Sequence, residues 1–462
     1  MEPRLPPILD YVDGEWAAPT ADLGFDLEDP ATGEPTTRAL GSTAARVERS
    51  LAVAAAAGSR IDPDVLDAIA DALEPELAAI AELDAVSTGV PLRQTEPLGV
   101  IVSGSFRLAA QQLRGGILRE DRDGVEVHRL PLGPALCLVP WNAPAPMAAH
   151  KVANALAAGC PVILKASEFS PFSAIPVARA IAAHVPPGMF QLVHGGAQTG
   201  ARLVADPRIK AVSFTGGVPG GRAVAIASAP LLRPLQLELG GHNPLVVLPD
   251  ADIETAARMA VELLTTLNGQ WCRALGRLIL PARQAPEIVE AIGTRLGDLT
   301  IGPPLDPATD LGPQIHSRHT EMLHKAIAGL PTRSFGSPPA IGNYFPPTLV
   351  EQDLPDEVFG PVAAVVTYDA DTDPAMVANA VPYGLEGYVC GADTERALAV
   401  ARTIRAGEVK VNGSTIMSLN LMTPRPAWGL SGLGEEGTAE TLRFFTGARV
   451  VGVEGRFALH TS

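Results

Sequence analysis

The sequence predicts an α/β protein with a doubly wound parallel sheet. Short apolar runs typical of strands alternate with stretches typical of helices through the centre of the chain, and this alternation indicates βαβ units. Hydrophobic residues make up 47% of the 462 residues and charged residues 19%, which is typical of a globular protein. At roughly 150 residues per domain, this length predicts more than one domain.

The N-terminal part of the chain predicts helices. Residues 41–88 are rich in alanine and leucine and carry acidic residues at helical spacing. Asp62 followed by Pro63 is typical of a helix start. We therefore expect two surface helices joined near Asp62.

The centre of the chain predicts the strands of the sheet. The apolar runs cover 135–139, 161–165, 189–193, 210–214 and 235–239, and the intervening stretches predict helices at 146–158, 172–184, 199–205 and 220–228. Ligands of a doubly wound sheet bind beyond the carboxyl ends of its strands. The polar and glycine residues that follow these runs are therefore candidate binding residues.

A second α/β region is expected from about 240 to 430. The segments 302–313, 331–347 and 424–437 are rich in proline and glycine and predict long ordered loops. Two further runs, 124–130 and 448–453, predict strands outside both regions. Such strands could pair with each other or with a partner chain.

Charge and composition exclude several classes of function. The net charge of −16 argues against binding to nucleic acid or an anionic membrane surface. We find no apolar run of about 18 residues that would cross a membrane. The N-terminus carries acids and prolines in place of the apolar core of a signal peptide. Four cysteines in so long a chain predict free thiols and a cytoplasmic protein.

Cys272 is the candidate nucleophile. It follows a helical stretch within Asn-Gly-Gln-Trp-Cys-Arg, and loop positions near helix ends supply the access and lowered pKa of a reactive thiol. The alternative is an inert buried thiol, which is our interpretation of Cys137, Cys160 and Cys390 in their apolar runs.

Glu238 and Asn142 are further catalytic candidates. Glu238 ends an otherwise apolar run, where burial should raise the pKa of its carboxyl toward that of a general base. It could instead be a structural carboxylate bound by the Gly240 and Gly241 amides. Asn142 follows Pro-Trp at a strand end and could stabilise an oxyanion, or it could form a local turn before Pro144.

Two segments could bind a dinucleotide. Residues 213–221 form a glycine-rich turn before a predicted helix, although the Gly-x-Gly-x-x-Gly pattern is absent. Lys165 and Glu168 could bind the hydroxyls of an adenosine ribose, and Glu168 would repel a 2′-phosphate, which favours NAD over NADP. The alternative for 213–221 is a plain turn between a strand and a helix, and the alternative for Lys165 and Glu168 is a solvated charge pair.

No metal site is predicted. His316, His319 and His324 form the single histidine cluster, without a cysteine or a His-Glu-x-x-His motif, and predict a solvated helix face. The patterns of P-loop NTPases and of Gly-x-Ser-x-Gly hydrolases are also absent from the sequence.

Taken in order, these segments resemble the aldehyde dehydrogenase superfamily of the NAD(P)-dependent, non-acylating type. The motifs are Pro-Trp-Asn ending at 142, Lys-Ala-Ser-Glu ending at 168, Phe-Thr-Gly-Gly ending at 217, Glu-Leu-Gly-Gly from 238, Gly-Gln-Trp-Cys ending at 272, Glu-Val-Phe-Gly-Pro from 357, and Asn412. The resemblance covers about residues 10–450.

The resemblance implies three structural parts and a homodimer or homotetramer. An NAD-binding domain with the doubly wound sheet would comprise 1–112 and 132–239, and an α/β catalytic domain would comprise 240–430. A small β oligomerisation arm would comprise 113–131 and 445–459. The implied cofactor is NAD rather than NADP, and the implied small-molecule partner is an aldehyde.

The resemblance also assigns roles by motif position. Cys272 would be the nucleophile, Glu238 the general base, and Asn142 with the Cys272 amide the oxyanion hole. The cofactor would be bound by Trp141, Lys165, Ser167, Glu168, Phe214, Gly216, Gly217, Leu239, Glu357 and Phe359. The chemistry would run through a thiohemiacetal and a thioester, which Glu238 would hydrolyse through water.

Departures from the family pattern bear on the substrate. Residues 424–432 lack two glycines and a lysine of the usual stretch, and Gly217 replaces the usual serine. The expected pocket residues are Ala143, Met147, His150, Trp271, Arg273 and Trp428. Ala143 and His150 replace bulkier aromatic residues, which predicts a larger or aromatic aldehyde. Arg273 could bind a substrate carboxylate or point away from the pocket.

Two alternatives remain open at this stage. A coenzyme A-acylating semialdehyde dehydrogenase would transfer the acyl group to the thiol of coenzyme A, and such relatives usually lack the glutamate at 238. A non-catalytic, NAD-binding member would have its pocket blocked by the altered 424–430 loop. The presence of Cys272, Glu238 and Asn142 together argues against it.

Overall fold

Two large β-sheets organise the chain in the computed structural model, which describes residues 5–58 and 60–454. Helices cover both sheets, so the predicted α/β class is confirmed. Of the ranges proposed above as domains, 1–4 and 455–459 lie outside the described residues. Among those described, no helix is long and apolar enough to cross a membrane.

The first sheet has eight strands, of which five in its centre are parallel. In spatial order its strands are Glu15–Ala17, Asp10–Val12, Phe190–Val193, Val162–Lys165, Ala135–Leu138, Ala211–Thr215, Leu235–Glu238 and Gly432–Leu433. Both faces of the parallel part are covered by helices, which explains its continuous apolar runs. The five predicted strands are confirmed, with ends that differ by at most one residue.

The predicted central helices are also confirmed. They span Pro144–Ala157, Ala174–His184, Ala197–Ala205 and Val218–Ser228. Two of them have a proline in their first two positions, where its missing N–H leaves no bond unmade. Each helix connects two strands and therefore begins near the carboxyl edge of the sheet.

The second sheet has seven strands. In spatial order they are Thr332–Ser334, Thr348–Val350, Val362–Tyr368, Leu275–Pro281, Asn243–Val247, Glu386–Cys390 and Glu408–Val411. All neighbours except the first pair are parallel. The helices of this region are Ile253–Thr265, Ala285–Gly297, Ser317–Ile327, Pro374–Ala378 and Thr394–Ala401.

The prediction of two surface helices over 41–88 is wrong. Three α-helices form there, at Ala44–Ala56, Pro63–Leu73 and Leu77–Thr88, and Pro75 lies in the 3-10 turn that separates the last two. Asp62 does cap the second helix by accepting from the Asp64 amide at 2.9 Å. Leu66 is fully buried, so this helix is part of the core. The helices Leu92–Thr95 and Gly99–Arg114 follow.

A separate three-stranded sheet joins two distant parts of the chain. Thr446–Val451 pairs with Val125–Pro131, which also pairs with Arg119–Arg122. The two predicted outlying strands therefore pair with each other. Arg119–Arg122 is exposed at every residue, and it forms one edge of this sheet.

The segment 424–437 is more ordered than the predicted loop. It contributes the short strands Arg425–Pro426, Trp428–Gly429, Gly432–Leu433 and Glu435–Glu436, and the helix Thr438–Phe444 follows. Trp428–Gly429 pairs with Tyr383–Gly384, and Gly432 pairs with Glu238. These contacts are long-range, so local sequence patterns do not indicate them. The remaining hairpin is Ala21–Glu28 with Pro35–Gly41.

Candidate active site

A cavity of about 530 Å³ opens at the carboxyl ends of the first sheet. The three predicted catalytic residues line it: Cys272, Glu238 and Asn142. It is also lined by nine of the predicted cofactor residues: Trp141, Lys165, Ser167, Glu168, Phe214, Gly216, Gly217, Glu357 and Phe359. Residues that are far apart in the sequence, from Leu138 to Phe359, therefore meet in one site.

A strained segment directs Cys272 toward this cavity. After the helix Ile253–Thr265, Leu267, Asn268 and Gly269 adopt positive φ values of 50°, 59° and 70°. The Asn268 side chain holds the turn by donating to the Gly89 and Pro313 carbonyls at 2.8 and 2.9 Å. Left-handed backbone in non-glycine residues is costly and is often found at functional sites.

The surroundings of Cys272 favour the protonated form of its thiol. Burial raises its pKa well above the ordinary value, and the nearby Glu238 carboxylate raises it further, while Arg273 lowers it. The expectation of a lowered pKa is therefore wrong for the protein without ligands. Removal of the thiol proton requires a base.

Glu238 is placed to serve as that base. It ends the strand Leu235–Glu238 and is buried, and burial raises the pKa of its carboxyl, as predicted. A second carboxylate, Glu436, raises that pKa further. The alternative was that the Gly240 and Gly241 amides bind Glu238. The Gly241 amide instead donates to Glu357 Oε1 at 2.9 Å.

Lys151 and Glu436 are site residues that the sequence analysis missed. The fully buried Lys151 Nζ donates to Ser213 Oγ at 2.7 Å and to Glu436 Oε1 at 2.8 Å. Burial opposes ionisation of Glu436, but Lys151 lowers the pKa of its carboxyl below the ordinary value. A single lysine in the largely apolar helix Pro144–Ala157 was the signal available in the sequence.

Asn142 is bonded to the loop that carries the nucleophile. Its Nδ2 donates to the Gln270 carbonyl at 2.8 Å. An asparagine amide has two N–H donors, so this bond fixes the side chain and leaves one donor for the cavity. This arrangement suits a group that stabilises an oxyanion.

The glycine-rich turn has the form of a phosphate-binding site. Gly217 is the N-cap of the helix Val218–Ser228 and offers no side-chain cap, so the Val218 and Gly220 amides are available to a ligand, while Pro219 has no N–H. A Cβ on Gly216 would lie 2.6 Å from the Phe214 ring, so glycine is needed there. Leu239 packs against Gly221 of this helix and does not line the cavity.

Two acidic residues lie where ribose hydroxyls could bind. Glu168 Oε2 accepts from Lys165 Nζ at 3.0 Å, and both side chains are partly accessible from the cavity. Burial raises the pKa of Glu357 to about 7. A Cβ on Gly240 would lie 1.9 Å from Glu357 Oε2, so the glycine makes room for this carboxylate.

The predicted solvated histidine face is wrong for His319. His319 is buried, and its Nε2 bonds to the Phe359 carbonyl at 2.7 Å. Its ring packs edge-on against Trp141, with centroids 5.3 Å apart, and burial lowers its pKa to about 4. His319 therefore lines the cavity as a neutral aromatic wall, while His324 is exposed as predicted. No group of metal-ligating side chains occurs in the described part of the chain.

None of the six predicted pocket residues lines this cavity. Trp271 is buried in the core of the second sheet, and Met147 packs on the core of the first. His150 is buried, its Nε2 lies 3.3 Å from Thr441 Oγ1, and burial lowers its pKa to about 3. Ala143 is the N-cap of the helix Pro144–Ala157.

Arg273 points away from the cavity, which was one of the two orientations expected for it. Arg273 is buried and paired with Glu386 and Glu408, so it does not reach a substrate carboxylate. Trp428 is 46% exposed. None of residues 424–432 lines the described cavity, so the altered loop does not block it.

Comparison with known proteins places this site in a family context. The model of the aldehyde dehydrogenase family matches residues 16–451. The 3-succinoylsemialdehyde-pyridine dehydrogenase of a Pseudomonas species is 33% identical over 96% of this chain and 98% of the relative. The betaine aldehyde dehydrogenase of Agrobacterium fabrum is 31% identical over 96% of this chain and 95% of the relative.

Solved structures of aldehyde dehydrogenases have the same fold as this chain. Aldehyde dehydrogenase C of Pseudomonas syringae, in complex with NAD+ and octanal, has a TM-score of 0.91 and 29% identity and covers 97% of this chain and 98% of its own. An aldehyde dehydrogenase of Mycobacterium tuberculosis with NAD+ has a TM-score of 0.90 and 29% identity, with the same coverage of both chains.

Proposed function

The chain belongs to the aldehyde dehydrogenase family, and we propose that it uses NAD to oxidise an aldehyde to the carboxylic acid through a covalent intermediate on Cys272. The observation that supports this proposal is that Cys272, Glu238 and Asn142 line the same cavity as the dinucleotide-binding residues. The non-catalytic alternative has no comparable support, because the cavity is open at the nucleophile.

The first step forms a bond from sulfur to carbon. Glu238 takes the thiol proton, and the Cys272 thiolate attacks the carbonyl carbon of the aldehyde. The carbonyl π electrons move to oxygen and give an alkoxide. The free Nδ2–H of Asn142 and the Cys272 amide donate to this alkoxide and stabilise it.

The second step makes the thioester. Bound NAD would supply the acceptor for the hydride that the carbon loses. As the carbon–oxygen double bond re-forms, the acyl group remains on Cys272. The thioester remains on Cys272 until Glu238 activates a water molecule.

Hydrolysis completes the reaction. Glu238 removes a proton from water, and the hydroxide attacks the thioester carbon and expels the Cys272 thiolate. The products are the carboxylic acid, NADH and a proton. A carboxylate whose pKa is raised by burial suits this role, and its presence favours transfer to water over transfer to coenzyme A.

The described residues fit the cofactor. The uncapped first turn of the helix Val218–Ser228 would bind the pyrophosphate. Lys165 and Glu168 would bind the adenosine ribose, Glu357 the nicotinamide ribose, and Phe359 with Trp141 would flank the nicotinamide ring. Glu168 would repel a 2′-phosphate, so NAD is preferred over NADP.

The substrate is proposed to be a larger or aromatic aldehyde. Two similar proteins carry names or ligands of that kind, a pyridine-bearing semialdehyde and octanal. The chain also exposes apolar side chains near the altered loop, namely Leu419, Leu421, Met422 and Trp428. Betaine aldehyde is charged, and it appears in the name of another relative. It is therefore the substrate to compare with octanal and an aromatic aldehyde in an assay.

Self-association through the three-stranded sheet is also proposed. Both edge strands, Arg119–Arg122 and Thr446–Val451, are largely exposed, and exposed edges are templates for pairing. A homodimer, or a tetramer built from two of them, would cover these edges. Sedimentation equilibrium should give a mass at least twice that of the chain, and a monomer would contradict the proposal.

A reducing compartment such as the cytoplasm is proposed as the location. All four cysteines are free thiols, and the proposed mechanism needs Cys272 reduced.

The proposed reaction can be tested by NADH absorbance. Purified protein and NAD are mixed with octanal, an aromatic aldehyde, betaine aldehyde and an ω-carboxylate aldehyde, and Cys272→Ala is run beside the wild type. We expect turnover with octanal or the aromatic aldehyde, and loss of at least 1,000-fold in Cys272→Ala. Turnover that survives in Cys272→Ala would contradict the nucleophile assignment.

A further inference from the structure

A buried cluster of four charged side chains adjoins Cys272 through the next residue of the chain. Arg273, Glu386, Glu408 and Lys410 are each no more than 9% exposed. Glu386–Cys390 and Glu408–Val411 are neighbouring parallel strands, and their register places Glu386 opposite Glu408. Like charges in that position repel each other, and burial increases the cost. The cluster therefore needs its own positive charges.

Arg273 and Lys410 supply those charges. The Arg273 guanidinium pairs with Glu386, and the same nitrogen lies 3.5 Å from Glu408 Oε2. Lys410 Nζ lies 3.2 Å from Glu386 Oε1. Two cations balance two carboxylates, and Arg273 is the member that contacts both acids.

The same sheet also fixes the backbone around the nucleophile. Tyr388 Oη donates to the Arg273 carbonyl at 2.8 Å. Asn243 Nδ2 donates to the carbonyls of Cys272 and Ala274 at 2.9 and 2.8 Å. Three consecutive carbonyls are therefore held, and the Arg273 side chain adds an ionic anchor at their centre.

The far side of the cluster holds a second segment. Glu408 Oε1 accepts from the Leu419 amide at 2.6 Å, and Lys410 Nζ donates to the Thr415 carbonyl at 2.9 Å. These bonds limit the movement of Glu408 and Lys410. The cluster is bonded to residues 415 and 419 on one side and contains the Arg273 guanidinium on the other, so it can fix the position of that guanidinium.

Charged groups around the sulfur make this position relevant to the reaction. Glu238 and Glu357 are the carboxylates that act on the Cys272 thiol, and Arg273 is the cation that acts on it. Arg273 therefore opposes the effect of the two carboxylates on the pKa of this thiol. A simple structural ion pair would not require a position next to the nucleophile.

We propose that Arg273 is a positioning residue for the nucleophile: Glu386 and Glu408 hold it, and it fixes the Cys272 segment while placing a permanent positive charge beside the sulfur. The inference rests on the proposed role of Cys272. Any hydrophobic side chain of similar size could fill the space, so the charge is the property to be tested.

The test measures alkylation of Cys272 by iodoacetamide as a function of pH, followed by peptide mass spectrometry, together with kcat and KM. The main variant is Arg273→Met with Glu386→Gln, which removes one charge of each sign. The matched control is Arg277→Met with Asp353→Asn, which removes a buried guanidinium pair with contacts of 2.7 and 2.8 Å on a neighbouring strand.

In the main variant we expect the alkylation profile to move to higher pH, with a rate at pH 8 about tenfold lower, which corresponds to about one pKa unit. The control should keep the wild-type profile. An unchanged profile and unchanged kcat/KM in the main variant would overturn the proposal. Turnover by Cys272→Ala would instead show that the proposed function itself is wrong.

Arg273→Lys provides a second, independent measurement if the double variant does not fold. Lysine keeps the charge but lacks the planar fork that contacts both acids. We expect a wild-type alkylation profile with kcat reduced at least threefold and KM for NAD unchanged. Wild-type kcat in Arg273→Lys would contradict the positioning role.

Discussion

At the scale of residues, Cys272 and Glu238 depend on each other. Burial raises the pKa of both groups; the Glu238 carboxylate raises the pKa of the thiol further, whereas the hydrogen bond to Cys272 lowers the pKa of Glu238. The hydrogen bond between them therefore places an acceptor carboxylate beside the Cys272 thiol. Transfer of the thiol proton to Glu238 then produces the nucleophile and leaves the acid form, which must lose that proton before it can activate water.

A single carboxylate should set the preference for NAD. Replacing Glu168 by glutamine removes the charge that would face a 2′-phosphate, so the ratio of kcat/KM with NADP to kcat/KM with NAD should rise about tenfold, or about 1.4 kcal/mol. Steady-state kinetics with both cofactors measures this ratio. Glu168→Asp keeps the charge and is the control, and an unchanged ratio in Glu168→Gln would show that other residues select the cofactor.

The residues that the sequence predicts well are those in short motifs. Cys272, Glu238 and Asn142 each lie in a segment whose pattern is informative by itself. Glu436, Lys151 and His319 are different, because their roles depend on neighbours from other elements. A buried lysine beside a glutamate that is distant in the sequence leaves little local signal, and the residues of the substrate pocket stay a prediction.

At the scale of elements, burial explains which predictions succeed. The central strands are covered on both faces, so their continuous apolar runs mark both ends to within one residue. Two of the two-residue strands of 424–437, Trp428–Gly429 and Gly432–Leu433, form by pairing with distant elements, and the other two pair with each other. Pro75 also separates two helices that the alanine-rich pattern of 41–88 does not distinguish.

Gly432 should be essential for the strand pair that supports Glu238. It has a φ of 149°, and an added Cβ would lie 1.9 Å from the Leu237 carbonyl oxygen. Gly432→Ala should therefore displace the end of the strand Leu235–Glu238 and reduce kcat at least tenfold. The assay is NADH formation on folded protein verified by circular dichroism.

Gly297→Ala is the matched control, because an added Cβ there meets nothing within 4 Å. It should retain wild-type activity. Equal kcat in Gly432→Ala and Gly297→Ala would show that the pairing with Gly432 does not position Glu238.

At the scale of the whole molecule, the site exists because two sheets meet. Glu238 ends a strand of the first sheet, and Cys272 precedes the strand Leu275–Pro281 of the second. The fold class and the order of these elements follow from the sequence. The resemblance, rather than periodicity, supplied the expectation that the two regions share one cavity.

Stability should fall as pH rises through the range where a buried carboxyl ionises. Burial raises the pKa of Asp84 to about 7 from an ordinary value of 3.8. The folded state therefore keeps this proton up to about pH 7 while the unfolded state releases it near pH 4, so rising pH favours unfolding in that range.

Asp84→Asn removes this dependence. The variant should be more stable relative to wild type at pH 8 than at pH 5, by on the order of 2 kcal/mol. Urea unfolding at the two pH values measures the difference. The same difference between variant and wild type at both pH values would show that Asp84 ionises normally in the folded protein.

The most direct test of the thioester mechanism is the time course of NADH formation by Glu238→Gln with excess aldehyde and NAD. The account predicts one NADH per subunit, formed more slowly than in wild type because the thiol also loses its base, followed by arrest with the acyl group on Cys272. Continued turnover at the wild-type rate would contradict it, since hydrolysis would then need no glutamate at this position.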